Sequence, residues 1–147
     1  MEIRELKPSE WATALELVMA VFWQFEAPDY SPDGIRAFDE SIHDPAYLRG
    51  LRMYGAFADG MLAGVLATRS GGSHIALFFV CEAYQRQGIG RGLFQAALAD
   101  CSDGEMTVHS SRYAIPVYHR LGFRDTGQER ETQGIRYTPM QYGAPAL

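Results

Sequence analysis

Gln85-Arg86-Gln87-Gly88-Ile89-Gly90 stands between an almost unbroken apolar run, His74 to Val80, and a segment in which Ile89, Leu93, Ala97 and Cys101 recur at helical spacing. The order strand, glycine-bearing loop, helix matters more than the glycines themselves. A helix start presents unpaired backbone N–H groups and the positive end of the helix dipole, so it holds a diphosphate without needing a lysine. Gly88 and Gly90 remove Cβ atoms at the point of approach, and Arg86 and Arg91 add positive charge at the rim. The Gly-Lys-Ser/Thr of a Walker loop is missing, and the loop follows a fourth or fifth strand instead of opening a first βαβ unit. Taken alone, the pair of glycines is equally consistent with a tight strand-to-helix turn.

Outward from the loop, the upstream pattern is antiparallel. Met53 to Ala58 and Met61 to Thr68 flank Asp59-Gly60, the dipeptide suited to a two-residue hairpin, and Ser70-Gly71-Gly72-Ser73 turns the chain into the apolar run. Earlier still, Glu2 to Lys7 reads as a short edge strand ending at Pro8. Ser9 is placed to cap a first helix to about Phe25, with Trp11, Leu15, Val18 and Phe22 on one face. Ser31-Pro32 repeats the start signal for a shorter helix carrying Ile35, Phe38 and Ile42.

Downstream, Asp103-Gly104 ends the loop's helix and Glu105 to His109 is a strand. Ala114 to Leu121 reads as a helix closed by Gly122, and Phe123 onward as a strand. Gln128 to Gln133 reads as a polar hairpin loop, and Gly134 to Tyr142 as a last strand that Pro139 assigns to an edge or a bulge. Residues 1–142 form one domain in this reading, and 143–147 a tail.

The 147 residues suffice for one domain with a sizeable core, and 18 aromatic residues argue against disorder. A net charge of -5 gives no global basis for binding nucleic acid or an anionic membrane. Two cysteines in apolar surroundings, Cys81 and Cys101, and no apolar run of spanning length point to a reduced, cytoplasmic setting. No metal-ligand spacing is present.

Gln85, Gly88 and Gly90 fall at the spacing of the acetyl-CoA loop of the GNAT superfamily of N-acetyltransferases, which this stretch resembles; Val80, five residues earlier, matches the apolar residue ending that family's fourth strand. A second block, Ser111 to Phe123, resembles the family's later motif. Ala114, Tyr118, Gly122 and Phe123 stand at its alanine, its tyrosine four residues on and its terminal Gly-Phe. Ser111 departs from the asparagine common in relatives. The closing Gly134 to Met140 is similar to the end of small bacterial members, and the likeness in element order covers nearly the whole chain.

The resemblance implies a mixed, mostly antiparallel sheet of about seven strands flanked by about four helices, splayed between strands four and five. It implies acetyl-CoA as cosubstrate, held by Val80, Cys81, Gln85, Arg86, Gln87, Gly88, Ile89, Gly90, Arg91, Ser111 and Tyr118. The implied reaction is direct transfer of the acetyl group to an amine acceptor, a small molecule or peptide, in a ternary complex. The Val80 N–H would polarise the thioester carbonyl and Tyr118 would protonate the departing thiolate. No spacing identifies the base, which stays open among His109, His74, Glu26 and Glu40. Cys81, beside the presumed thioester, reads as packing.

In this family the first two helices border the acceptor. Here that segment gathers Glu26, Asp29, Asp33, Asp39, Glu40 and Asp44 around Arg36, with Trp23, Phe25 and Tyr30. Either it is a lip that favours a cationic amine or it is a solvated acidic face. A non-catalytic acyl-CoA-binding module and another nucleotide-binding enzyme are the alternative readings. A homodimer is common in the superfamily, and the strand bearing Pro139 or the exposed aromatics would supply its interface.

Overall fold

In a computed structural model, residues 1–143 are described. Eight strands form one sheet: β1 (Glu2–Glu5), β2 (Arg52–Ala58), β3 (Met61–Arg69), β4 (His74–Val80), β5 (Met106–Ser110), β6 (Arg124–Asp125), β7 (Arg130–Thr132) and β8 (Ile135–Tyr142). The order is β1-β2-β3-β4-β5-β8-β6, with β7 also on β8, and every neighbouring pair is antiparallel except β4 with β5. The helices are α1 (Trp11–Phe25), α2 (Pro32–Ile42), α3 (Pro45–Arg49), α4 (Ile89–Ala99) and α5 (Ile115–Leu121). One core, with Leu93, Phe94, Ala97 and Tyr118, lies under α4 and α5. The other, with Val18, Phe22 and Ile42, lies under α1 and α2 on the opposite face.

The feature that makes a site is the separation of β4 from β5. They pair over two positions only, His74 with Thr107 and Ile75 with Val108. Between β3 and β4 the register passes from Ala67–Leu77 to Thr68–Ile75, leaving Ala76 unpaired as a bulge. A bulge bends its strand and increases local twist, which carries the far half of β4 away from β5. Leu77 and Phe79 then point into one core while Phe78 and Val80 point to the other.

The architecture agrees with the expected mixed sheet and its splay, and adds a strand and a helix to the expected numbers. The Gln128–Gln133 segment is not all loop: β7 pairs with β8 through Glu131 and Arg136, so the turn tightens to Gln133-Gly134. Asp44 accepts from the Ala46 N–H at 3.0 Å and starts α3 on Pro45, a cap-and-proline signal too short to carry a hydrophobic period. The first helix starts after Glu10, with no side-chain cap from Ser9 or from Glu10. The Glu10 carboxylate accepts the Lys7 N–H at 2.9 Å and both guanidinium nitrogens of Arg4 at 2.9 and 2.8 Å, which holds a 3-10 turn ahead of α1.

Strand β8 is interior, flanked by β5 on one side and by β6 and β7 on the other, so the expected edge position for Pro139 does not hold. The Pro139 carbonyl accepts from the Thr126 N–H at 2.9 Å, so the residue's missing donor faces the break between β6 and β7, where no ladder partner is needed. An interior strand offers no continuous free edge to a second subunit. The β7–β8 turn is instead locked onto α2: a Cβ on Gly34 would collide with the Gly134 carbonyl, and the Ser31 Oγ caps α2 by accepting the Gly34 N–H at 3.2 Å. The expected tail begins at Gly143, and residues 144–147 lie outside the described part.

Candidate active site

Where β4 and β5 part, a cleft of about 600 Å3 opens through the sheet. Phe78, Val80, Gly88, Gly90, Val117 and Tyr118 line it from the α4 and α5 side, and Val21, Phe25, Glu26 and Phe79 from the α1 side. Of the residues singled out in the sequence, Val80, Gln85, Arg86, Gly88, Gly90, Arg91, Tyr118 and Glu26 meet here. Gln87 turns away, its Nε2 donating to the Ala83 carbonyl at 3.2 Å, and the Ile89 side chain is buried in the core.

At the loop, Gly88 takes φ +84° as the residue before α4, a conformation that costs any other residue about 1 kcal/mol or more. The first helical bond runs from the Gly92 N–H to the Gly88 carbonyl, so the amides of Ile89, Gly90 and Arg91 lie ahead of it at the cleft. Arg86 contributes its charge from a loop residue that is itself at φ +64°. Arg91 is tied to the Arg120 carbonyl at 3.0 Å. Gly90 is less constrained than its spacing suggested: a Cβ there would touch only the Phe78 ring, at an ordinary 3.5 Å.

The Cys81 N–H donates to the Ala63 carbonyl at 2.9 Å, so alternation along the strand turns the Val80 N–H to the opposite, open edge facing the gap. Cys81 also gives its carbonyl to the Tyr84 N–H at 2.9 Å, which leaves the open edge to Val80. Burial pushes the Cys81 thiol up, as befits a packing residue. The Val80 carbonyl accepts from Gln85 Nε2 at 3.0 Å, and Gln85 Oε1 accepts the Tyr113 hydroxyl at 3.0 Å. Tyr113 in turn stacks on Phe25, ring centroids 4.5 Å apart. This chain of contacts spans the cleft, and its Tyr113 link has no signal in local sequence.

Tyr118 is 4% exposed and set edge-on between Phe78 and Phe123 at 5.8 and 5.2 Å. Burial, and then the Glu26 carboxylate, keep its phenol well above the ordinary range, so it stays a proton donor. Glu26 follows α1 directly. Burial pushes its carboxyl up to about 7, hydrogen bonding from the Ser111 and Tyr30 hydroxyls acts against that rise, and Asp29 adds to it.

The other candidate bases are elsewhere. Glu40 is exposed on α2. His74 and His109 lie edge to face at 4.9 Å by the β4–β5 seam, with His109 stacked on Tyr137 at 4.3 Å. Burial and the Arg69 charge lower both, His74 to about 4, so His74 is neutral at physiological pH. Of the six acids, Glu26 alone lines the cleft. Asp33 pairs with Arg36 at 3.0 Å, Asp39 lies 3.4 Å from His43, Asp44 caps α3, and these with Asp29 and Glu40 form a solvated face. Trp23 is 56% exposed outside the cleft. Among the described residues no cluster of His, Cys, Asp and Glu could hold a metal, and no helix is long and apolar enough to cross a membrane.

The model of a family described as an acetyltransferase (GNAT) domain matches residues 26–143. No curated protein matches the chain. Among solved structures, a GCN5-related N-acetyltransferase from Rhodopseudomonas palustris superposes with a TM-score of 0.79 at 23% identity, over 97% of this chain and 95% of that one. The PaiA N-acetyltransferase from Thermoplasma acidophilum, in complex with coenzyme A, gives 0.77 at 17% identity, over 97% and 98%. An aminoglycoside 6'-N-acetyltransferase complexed with coenzyme A gives 0.65 at 12%, over 99% and 100%. At these identities the likeness is one of fold.

Proposed function

Since the chain belongs to the GNAT acetyltransferase family, we propose that it transfers the acetyl group of acetyl-CoA to a primary amine of a small molecule or peptide, by direct attack with both substrates bound. The observation that carries this reading is the convergence of Glu26, the open edge at Val80 and Tyr118 on one cleft. We read residues 1–142 as the single domain that performs it.

The residues present suit acetyl-CoA. The amides at the start of α4, with Arg86 beside them, form a cradle for the diphosphate. The open edge of β4 can pair with the amide-bearing pantetheine arm as an added strand. When bound, acetyl-CoA supplies the activated acyl group. The Val80 N–H then stabilises the thioester oxygen as charge develops on it. Glu26, with its carboxyl near neutrality, takes the proton the attacking nitrogen must lose, and Tyr118 returns a proton to the departing sulfur. Apolar walls from Val21, Phe25 and Phe79 on the Glu26 side suit an amine with an apolar neighbour.

Calorimetric titration with acetyl-CoA, coenzyme A and ATP, on wild type and on Gly88→Glu, tests the cofactor half. Binding of the first two, lost in the variant, is expected. A panel of amines assayed by thiol release tests the acceptor half. Acetyl-CoA binding with no turnover on any amine would return the protein to the class of acyl-CoA-binding modules.

A further inference from the structure

His74 and His109, which stay out of the cleft, belong to a row of side chains that crosses the sheet at the paired end of the β4–β5 seam. Met106 and Val108 point into the core under α4 and α5, so alternation puts Thr107 and His109 on the opposite face, where both are exposed. The row follows the ladder register. Arg69 on β3 is the direct partner of His74 on β4, and His74 is the partner of Thr107 on β5. The His109 ring stands edge to face with His74 at 4.9 Å and stacks on Tyr137 of β8 at 4.3 Å. Tyr137 is in turn the direct partner of Arg130 on β7. Opposite residues of antiparallel strands carry their side chains on one face, about 5 Å apart at Cβ. Arg69, His74, His109, Tyr137 and Arg130 therefore form one strip.

Hydrogen bonding leaves much of the strip unspent. Thr107 Oγ1 gives its one proton to the Ser73 carbonyl at 3.3 Å, so it accepts from His74 Nδ1 at 2.8 Å, and His74 Nε2 is left over. His43, His74 and His119 each have a hydrogen-bond partner, whereas His109 has none among the described residues. Among the same residues, neither Arg69 nor Arg130 makes an ion pair or a side-chain hydrogen bond. Both guanidinium charges act on His109, and that of Arg69 also on His74 and on Tyr47 of α3. Two fixed positive charges beside the rings disfavour a metal ion, and no group of three His, Cys, Asp or Glu among the described residues could hold one.

We propose that this strip is an anion site, separate from the cleft, that holds a phosphate group, free or carried on a small molecule, between Arg69 and Arg130 and over the two imidazole rings. A guanidinium offers five donors in a planar fork that matches phosphate oxygens. Each ring adds a donor when it is protonated, and a bound anion favours that protonation. The site lies on the opposite face of the sheet from α4, so it is distinct from the cradle for the diphosphate and does not depend on the acetyl-transfer reading.

The test follows the ring signals of 13C-histidine-labelled protein by NMR, with His74 and His109 assigned through His74→Gln and His109→Gln. Sodium phosphate or glycerol 1-phosphate is added against sodium chloride of equal ionic strength. Saturable shifts at His74 and His109 are expected, with His43 and His119 unmoved and the His109 midpoint raised by about half a pH unit or more at saturation. Arg69→Gln and Arg130→Gln should each weaken binding about fivefold or more, and the two together should abolish it. In chloride alone, Arg69→Gln should raise the midpoints of both rings and Arg130→Gln that of His109 only, which also shows that the variants are folded. Tighter binding of glycerol 1-phosphate than of inorganic phosphate supports a carried phosphate, and equal binding a free one. Phosphate bound at the start of α4 would ignore the arginine substitutions and be lost in Gly88→Glu. That result overturns the proposal, as do equal shifts at all four histidines or no saturable shift with either compound.

Discussion

Gln85 reaches back five residues to Val80, its Nε2 donating to the Val80 carbonyl at 3.0 Å while its Oε1 accepts the Tyr113 hydroxyl. Both ends of the amide are therefore spent inside the chain, holding the residue whose N–H we propose to face the thioester. Gln85→Leu removes both bonds and should lower kcat/KM for acetyl-CoA five- to tenfold, the equivalent of about 1 kcal/mol. Tyr113→Phe should give a smaller loss in the same direction. If Gln85 instead touched the cofactor directly, Tyr113→Phe would leave the kinetics unchanged, and steady-state measurements on the two variants decide the matter.

Tyr118→Phe keeps the edge-on packing against Phe78 and Phe123 and deletes only the proton donor. We expect kcat to fall by about tenfold to a hundredfold, at the low end of general-acid contributions, with the Kd for acetyl-CoA little changed. An unaltered kcat would take Tyr118 out of the chemistry.

The Glu26 carboxyl, held up at about 7, should impose an acidic limb on kcat/KM near that value, with activity rising as it ionises. The same shift acts on stability. Because the folded value lies above the ordinary 4.5, the folded state binds the proton more tightly, so this contribution is present at low pH and lost as pH rises from about 4.5 through about 7. Glu26→Gln should therefore stabilise the protein relative to wild type more at pH 8 than at pH 5, by a difference of up to about 3 kcal/mol in unfolding free energy, read from denaturation at the two pH values. Equal gains at both pH values would contradict the burial of this charge. Alanine at His74 or His109 should leave the acidic limb in place.

Gly88 and Gly90 separate by role. At φ +84° Gly88→Ala should cost about 1 kcal/mol and weaken acetyl-CoA binding by disturbing the start of α4, while Gly90→Ala, in ordinary contact with Phe78, should fold normally. Melting curves and calorimetry on the pair check both statements.

Gly34→Ala places a Cβ against the Gly134 carbonyl and should destabilise the fold by about 1 to 3 kcal/mol, as overpacking does. Because that contact seats the β7–β8 turn on α2, hydrogen exchange should quicken in residues 130–137. Unchanged exchange there would show that the turn is held by other contacts.

What the sequence by itself determined follows from local physics. The Asp59-Gly60 hairpin, the cap at Ser31, the strand–loop–helix at Gln85 to Gly90 and the Ala114 to Phe123 block are each set by residues within a turn or two of one another, so hydrogen bonding and periodicity expose them. The splay was expected from a family likeness, but its device, the unpaired Ala76, is a matter of register between strands. That Glu26 lines the cleft while His74, His109 and Glu40 do not is a matter of tertiary structure, and our proposal of Glu26 as base rests on it. The burial of Glu26 and its electrostatic coupling to Tyr118 arise only when α1 and α5 close on the same cleft. Pro139 teaches the same point in reverse: an intrinsic signal for an edge was satisfied inside the sheet, because the gap between β6 and β7 falls opposite its missing N–H.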